Sequence, residues 1–535
     1  MQSIIQRRAF AKEAAEYALR SPPSSASLAT LNDQAAPPAD RYLVSFAADD
    51  RHNPQLWSKT RKWMQVALIA NIALLVGVAA AINSGAAEFA KELLGVSSEV
   101  ISLDTALFLI GFGVSSPFLA PLSELGGRNP VYLITIILFS HFEVGAALSP
   151  NIGGRLALRF LAGLAGSTPL GNAGASIADM FDSSQRTYAL PAFATIGLMA
   201  PAIGPIMGGF IGQSYLGYRW CDWITAIWGF ATAIVSFLFM PETLADELLK
   251  MKAKELRRAT GDDRYRTALE RTRAAVPFKV AFVDAAQRPF KMLAMEPIVV
   301  AFSLYMTLVY VVLFGNLVAY PYIFATYELN AGLLGLTFIP ISLGIAIVGA
   351  TIPFIYKSYL KATARAVEQH GEGAVPPPEE RLKVAMIGTW LMPISLFWLA
   401  WTCDRELTIW PALVSQIFFG MSILCCFISS YQYIIDSYLS TAASALSDLT
   451  LVRYIMSGVA VIYTGPMFEA MGPHHGVTVL ACISFAFCFV PFGFYVWGPR
   501  IRSWSRYTPK VAVDGNAVEQ KKEVDAAPKE EIQSA

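Results

Sequence analysis

"APAIGPIMGGFIG", residues 200–212, sets four glycines and two prolines among residues that are otherwise apolar. In water each such Gly weakens a helix by about 1 kcal/mol and each Pro by about 3 kcal/mol, so a helix of a soluble protein is a poor reading. In lipid the balance changes, because small residues let helix backbones approach closely and neighbouring groups accommodate the bends. Gly204, Gly208 and Gly212 recur every fourth residue and share one helical face, which Pro201 and Pro205 bend. The stretch reads as the packing face of a membrane-spanning helix.

Composition agrees with that reading. Of 535 residues, 55% are hydrophobic and 15% charged, well below the roughly 25% charged content of soluble domains. The formal charge of +1 offers no global attraction to nucleic acid. Apolar windows long enough to cross a hydrocarbon core of about 30 Å predict helices over 63–83, 102–122, 130–149, 154–177, 188–212 and 222–240, then 298–320, 331–355, 384–402, 407–431, 444–468 and 475–498. The expected fold is therefore an all-α integral membrane protein of twelve spans, six and six. Its parts are a disordered tail over 1–61, a bundle over 62–240, a central loop over 241–297, a second bundle over 298–499 and a tail over 500–535. Leu244, Leu248, Met251 and Leu256 in the basic central loop predict an amphipathic helix on the membrane surface.

Charge distribution sets the orientation. "WSKTRKW" precedes the first span, Lys357, Lys361, Arg365, Arg381 and Lys383 cluster around 356–383, and Arg500, Arg502 and Arg506 follow the last span. By the positive-inside rule both termini and the central loop are expected in the cytosol. The six cysteines lack metal-type spacing and read as small buried hydrophobes. No G-x-x-x-x-G-K-[ST] phosphate loop, metal-ligand cluster or nucleophile motif appears, which argues against ATP hydrolysis and against an enzyme.

After the second predicted span comes "APLSELGGRNPVY", residues 120–132. Its Gly126 and Gly127 permit a sharp reversal, and Arg128 sits where a cation favours a helix C-terminus and anionic headgroups. Glu124 needs a partner, either Arg128 or the N-terminus of a neighbouring helix. This stretch resembles the signature loop of the major facilitator superfamily, in the form found in fungal drug:proton antiporters with twelve spans. "RFLAG" (159–163), "GLMAPAIGPIMGGF" (197–210), "MPETLADELLKMKAKELRRATGD" (240–262), "NPQLWSKTRKW" (53–63) and "PPEERLKVAMIG" (377–388) are similar to other segments of that branch, in order. Ala120, Leu125, Asn129 and Ala162 depart from the usual pattern.

The resemblance implies two pseudo-symmetric six-helix bundles and a latch in which Glu124, Gly127 and Arg128 hold one face closed. It also implies an antiporter motif in which Gly204, Pro205, Gly208 and Gly209 pack the fifth helix against the eighth. Arg159 is expected to face the interior, for proton coupling, for contact with a substrate anion or as a structural pair. An Arg within a span carries a penalty of at least about 2.5–3.5 kcal/mol, which disfavours a lipid-facing position for it, whereas Arg155 is expected to snorkel towards the nearer surface. His141 and Glu143 in "FSHFEVGAAL" are candidate proton acceptors or a water-facing pair. Asp179 with Arg186, and Asp436 with Arg453, are expected as loop clamps of the two halves. Asn71, Tyr310, Asn316, Gln416 and Tyr431 are candidate cavity residues or interhelical hydrogen bonds.

The sequence thus predicts a monomeric, cofactor-free exporter of small organic solutes, driven by protons, in the plasma membrane or an organelle membrane. Its expected partners are the small-molecule substrate, protons and membrane lipid, with no nucleic acid. A facilitator or importer of a small metabolite is the alternative, and a non-transporting receptor the remote one.

Overall fold

The computed structural model describes residues 1–20, 42–47, 49–273, 277–371, 374–403 and 407–507. Its elements are helices, with one isolated bridge between Leu43 and Arg266. The first half contains α1 (Gln2–Arg20), α2 (Lys59–Gly85), α3 (Ala87–Leu94), α4 (Ser98–Gly126), α5 (Arg128–Leu148), α6 (Ile152–Gly166), α7 (Thr168–Met180), α8 (Ser183–Gly212) and α9 (Arg219–Phe239). A connecting segment holds α10 (Ala245–Thr260), α11 (Ala268–Arg273) and α12 (Phe278–Met295). The second half contains α13 (Pro297–Ile323), α14 (Ala331–Leu336), α15 (Ile339–His370), α16 (Leu382–Thr402), α17 (Trp410–Tyr438), α18 (Ala442–Phe487) and α19 (Phe489–Trp504).

Ten helical stretches among the described residues are long and apolar enough to cross a membrane. Two details bring the passages to twelve. The fourth is divided between α6 and α7 at Ser167, where Pro169 withholds the backbone donor that a continuous helix needs. The last two are joined inside α18, where Gly472, at φ 74° and ψ 162°, reverses the chain just before Pro473. Gly supplies that left-handed conformation without a Cβ penalty.

Both described chain ends lie on one side, called here the base. The Met1 amine donates to the Phe237 carbonyl at 2.8 Å, and the Arg506 N–H donates to Glu296 Oε1 at 2.8 Å. Residues 2–20 correct the expected disorder of the tail. Gln6, Phe10 and Ala14, spaced four apart, are buried on one face of α1, which packs along α10. The surface-helix expectation for α10 is corrected as well, since its Leu248 and Ala253 are buried inside protein. Residues 21–41 and 508–535 of the expected tails lie outside the described residues.

The halves meet along α4 with α18 and α8 with α14 and α15. Glycines allow the approach: a Cβ on Gly113 would come within 3.0 Å of the Leu451 carbonyl, and one on Gly458 within 2.7 Å of the Ala106 carbonyl. The opening stretch behaves as a packing face, but with two destinations. Gly204, Gly208 and Gly212 lie against residues 81–89 of α2 and α3, the first span, so the shared glycine face does not meet the eighth. Contact with the eighth falls to Gly209, which touches Ala331, and to the Pro205 carbonyl, 2.7 Å from where a Gly335 Cβ would stand. Adjacent helix faces thus serve two neighbours, which a single four-residue repeat cannot encode.

Candidate functional site

At the base, the α4–α5 turn is built around Glu242. Its carboxylate accepts the N–H groups of Arg128 at 3.0 Å and Asn129 at 3.1 Å, together with those of Thr243 and Leu244. These are the orphan donors of the α5 N-terminus and of the turn before α10. Burial pushes the Glu242 carboxyl up from its ordinary range, while the four N–H groups pull it down. Gly127 has φ 91°, and a Cβ there would stand 2.7 Å from Glu242 Oε2. Gln6 closes the arrangement, donating to the Glu242 carbonyl at 3.2 Å and accepting its N–H at 2.9 Å.

The expected Glu124–Arg128 pair does not form. Glu124 is exposed at the end of α4, whereas Arg128 is buried, donating to Ser123 Oγ at 2.6 Å and pairing with Asp179 at 3.3 Å. Asp179 is thus committed to Arg128 and not to Arg186, which makes no ion pair among the described residues. In the second half Asp436 pairs with Arg381 at 2.7 Å, and Arg381 also donates to Thr187 of the first half at 2.8 Å. Arg453 takes no part in that clamp, because it lies more than two helical turns into α18.

Nearer the opposite end, the first half contains a buried charged cluster. Arg155 and Arg159 project from one face of α6 at i and i+4. Arg155 binds Asp104 of α4 at 3.0 Å and Asp222 of α9 at 2.5 Å. Arg159 binds Glu143 of α5 at 2.7 Å and Asp104 at 3.4 Å, and donates to the Ala79 carbonyl at 2.8 Å. Asn83 of α2 donates to Asp104 at 2.8 Å and to Asp222 at 3.0 Å. Five helices therefore converge on two guanidiniums. Arg155, at 3% exposure, does not snorkel, because two carboxylates inside the half satisfy it better than the interface could. His141 does not join the cluster; it is exposed, bonded to the Ile137 carbonyl at 2.8 Å and edge-on to Phe230.

Three carboxyl groups face two guanidiniums, so the cluster is neutral with one proton aboard and carries one negative charge without it. Asp104 and Asp222 escaped sequence reasoning, although an acid inside an apolar run was a usable signal. Of the cavity candidates, Asn71 is spent on Thr232 and Trp228, and Gln416 on Tyr320 and Ser415. Tyr310 and Tyr431 stand together around Arg453, and the Asn316 amide nitrogen is buried without an acceptor.

Twelve helical passages in two halves, with ionised side chains sequestered between helices at membrane depth, define a polytopic transport protein. The chain belongs to the major facilitator superfamily, whose family model matches residues 69–461. It is 42% identical over 471 residues to the MFS-type transporter kojT of Aspergillus oryzae, covering 88% of this chain and 83% of that one. It is 43% identical over 475 residues to the uncharacterized transporter mfs2 of Schizosaccharomyces pombe, with 88% and 85% covered. The efflux pump FUBT of Fusarium oxysporum is 33% identical over 472 residues, with 88% and 78% covered. The proton:xylose symporter XylE shares the fold, with a TM-score of 0.58 at 16% identity over 82% of this chain and 97% of that one.

Proposed function

We propose that the protein is a proton-coupled antiporter that exports small organic solutes from the cytosol across the plasma membrane, with the base facing the cytosol. The observation that carries this reading is the odd carboxyl of the Asp104–Glu143–Asp222 cluster. A buried uncompensated charge is expensive, so proton uptake and release there changes the stability of the first half's packing and can bias one arrangement of the halves over another. The basic base supports its cytosolic orientation, and export as the direction is supported by the naming of a relative as an efflux pump.

The test begins with cells that possess or lack the protein, compared for the metabolites they retain. The solute so identified is supplied outside vesicles containing the purified protein, with the base-out fraction scored by protease accessibility of the base. Export coupling predicts that a pH gradient with acid on the far side accelerates movement of solute from the base side. Flux indifferent to the gradient would establish a facilitator and overturn the reading.

A further inference from the structure

Arg453 is fully buried at mid-depth in the first limb of α18. Its guanidinium carbon lies 4.5 Å from the ring centre of Tyr310, 5.3 Å from Tyr454, 5.4 Å from Tyr431 and 5.5 Å from Phe427. Phe112 of α4 stacks on Tyr454 at 4.1 Å, so the aromatic box stands at the boundary of the two halves, near the middle of both α4 and α13. Among the described residues this guanidinium donates from Nη2 to Thr450 Oγ1 at 3.3 Å and lies beside the Tyr431 ring, while Nε and Nη1 have no acceptor.

Arg155 and Arg159 are met by three carboxylates, but Arg453 is met by none among the described residues. Asp448 shares its helix, yet neither carboxyl oxygen has a hydrogen-bond partner, and the two side chains form no ion pair. Cation–π contacts offset part of the burial cost and leave the charge uncancelled. The Tyr431 ring, 5.4 Å from the guanidinium carbon, adds a further polar group beside it.

We infer that Arg453 is the anion-binding residue of the solute site, and that the solute is a flat aromatic carboxylic acid whose carboxylate meets Nε and Nη1 while its ring stacks in the box. The inference rests on the proposed reading that solute binds between the halves. A charge-assisted contact in a dry site supplies the selectivity, because an amide of the same shape leaves the guanidinium uncompensated.

Equilibrium binding to the purified full-length protein in detergent, near neutral pH, tests it with 4-coumarate, 4-coumaramide and tyramine as matched anionic, neutral and cationic probes. The expected result is that 4-coumarate binds at least about tenfold more tightly than the other two, or about 1.4 kcal/mol, and that Arg453→Gln brings acid and amide within about twofold. Where Arg453→Gln does not fold, Arg453→Lys retains part of the preference, and the comparison of probes on the unaltered protein stands by itself. Equal binding of acid and amide, no binding of the acid, or preference for tyramine lost in Asp448→Asn would overturn the inference. Binding needs no gradient, so the outcomes separate: an acid-selective protein with gradient-blind flux defeats the coupling reading alone, and gradient-driven flux without acid selectivity defeats this one alone.

Discussion

Glu143 and Asp222 occupy the same cluster but are not equivalent. Glu143→Gln leaves two carboxylates facing two guanidiniums, so the variant is expected to fold and to move solute downhill while ignoring an imposed pH gradient, as vesicle flux would show. A variant that still follows the gradient would remove this cluster from coupling. Arg155→Ala strands Asp222 beside Asp104, and breaking a buried pair on one side costs about 3–5 kcal/mol. That loss should be visible as a large drop in thermal unfolding temperature in detergent. At this scale the sequence was partly legible. Arg159 and Glu143 were conspicuous as charges in apolar runs, yet the Glu124–Arg128 pair, adjacent in sequence, is absent. Sequence proximity does not say that α4 ends with Glu124 pointing away or that α7 brings Asp179 beneath Arg128.

Among elements, α8 is the sharpest test of packing. A Cβ at Gly208 would collide with the Ile82 carbonyl of α2, backbone that cannot swing aside. Gly208→Ala is therefore expected to destabilise the first half by about 1–3 kcal/mol, measured by thermal unfolding. Gly126→Ala, with nothing within 4 Å, should leave unfolding unchanged. The α4–α5 turn gives a second test. Glu242→Ala removes the cap of α5, at about 0.5–2 kcal/mol, and should raise hydrogen exchange at residues 128–132 while leaving exchange in α9 unaffected. The membrane helices were readable because an apolar run of that length has few alternatives. The reversal at Gly472 falls in the gap expected between 468 and 475, but the break at Ser167 was not readable, since it lies inside a stretch, 154–177, that reads as one helix. The burial of α1 was hidden too, because its partner α10 lies more than two hundred residues away.

For the whole molecule, the two halves carry different chemistry. The first sequesters paired charges, and the second holds a lone guanidinium against rings that reach across the boundary. Such a division suits a protein in which one half stores a proton and the contact surface admits the solute, with the halves rocking about that surface. Small residues at Gly113, Gly209 and Gly458 keep the contact smooth on both sides of the middle. Arg381 links Asp436 to Thr187 across the base.

The rocking itself is measured most directly by distances between paired spin labels on the purified protein in lipid, one pair at Glu124 and Lys383 on the base and one at Asn151 and Leu407 on the opposite end, with exposed Cys482 replaced by Ser. Changing pH and adding the transported solute should lengthen one distance while shortening the other. Distributions that stay fixed, or that lengthen and shorten together, would contradict the account.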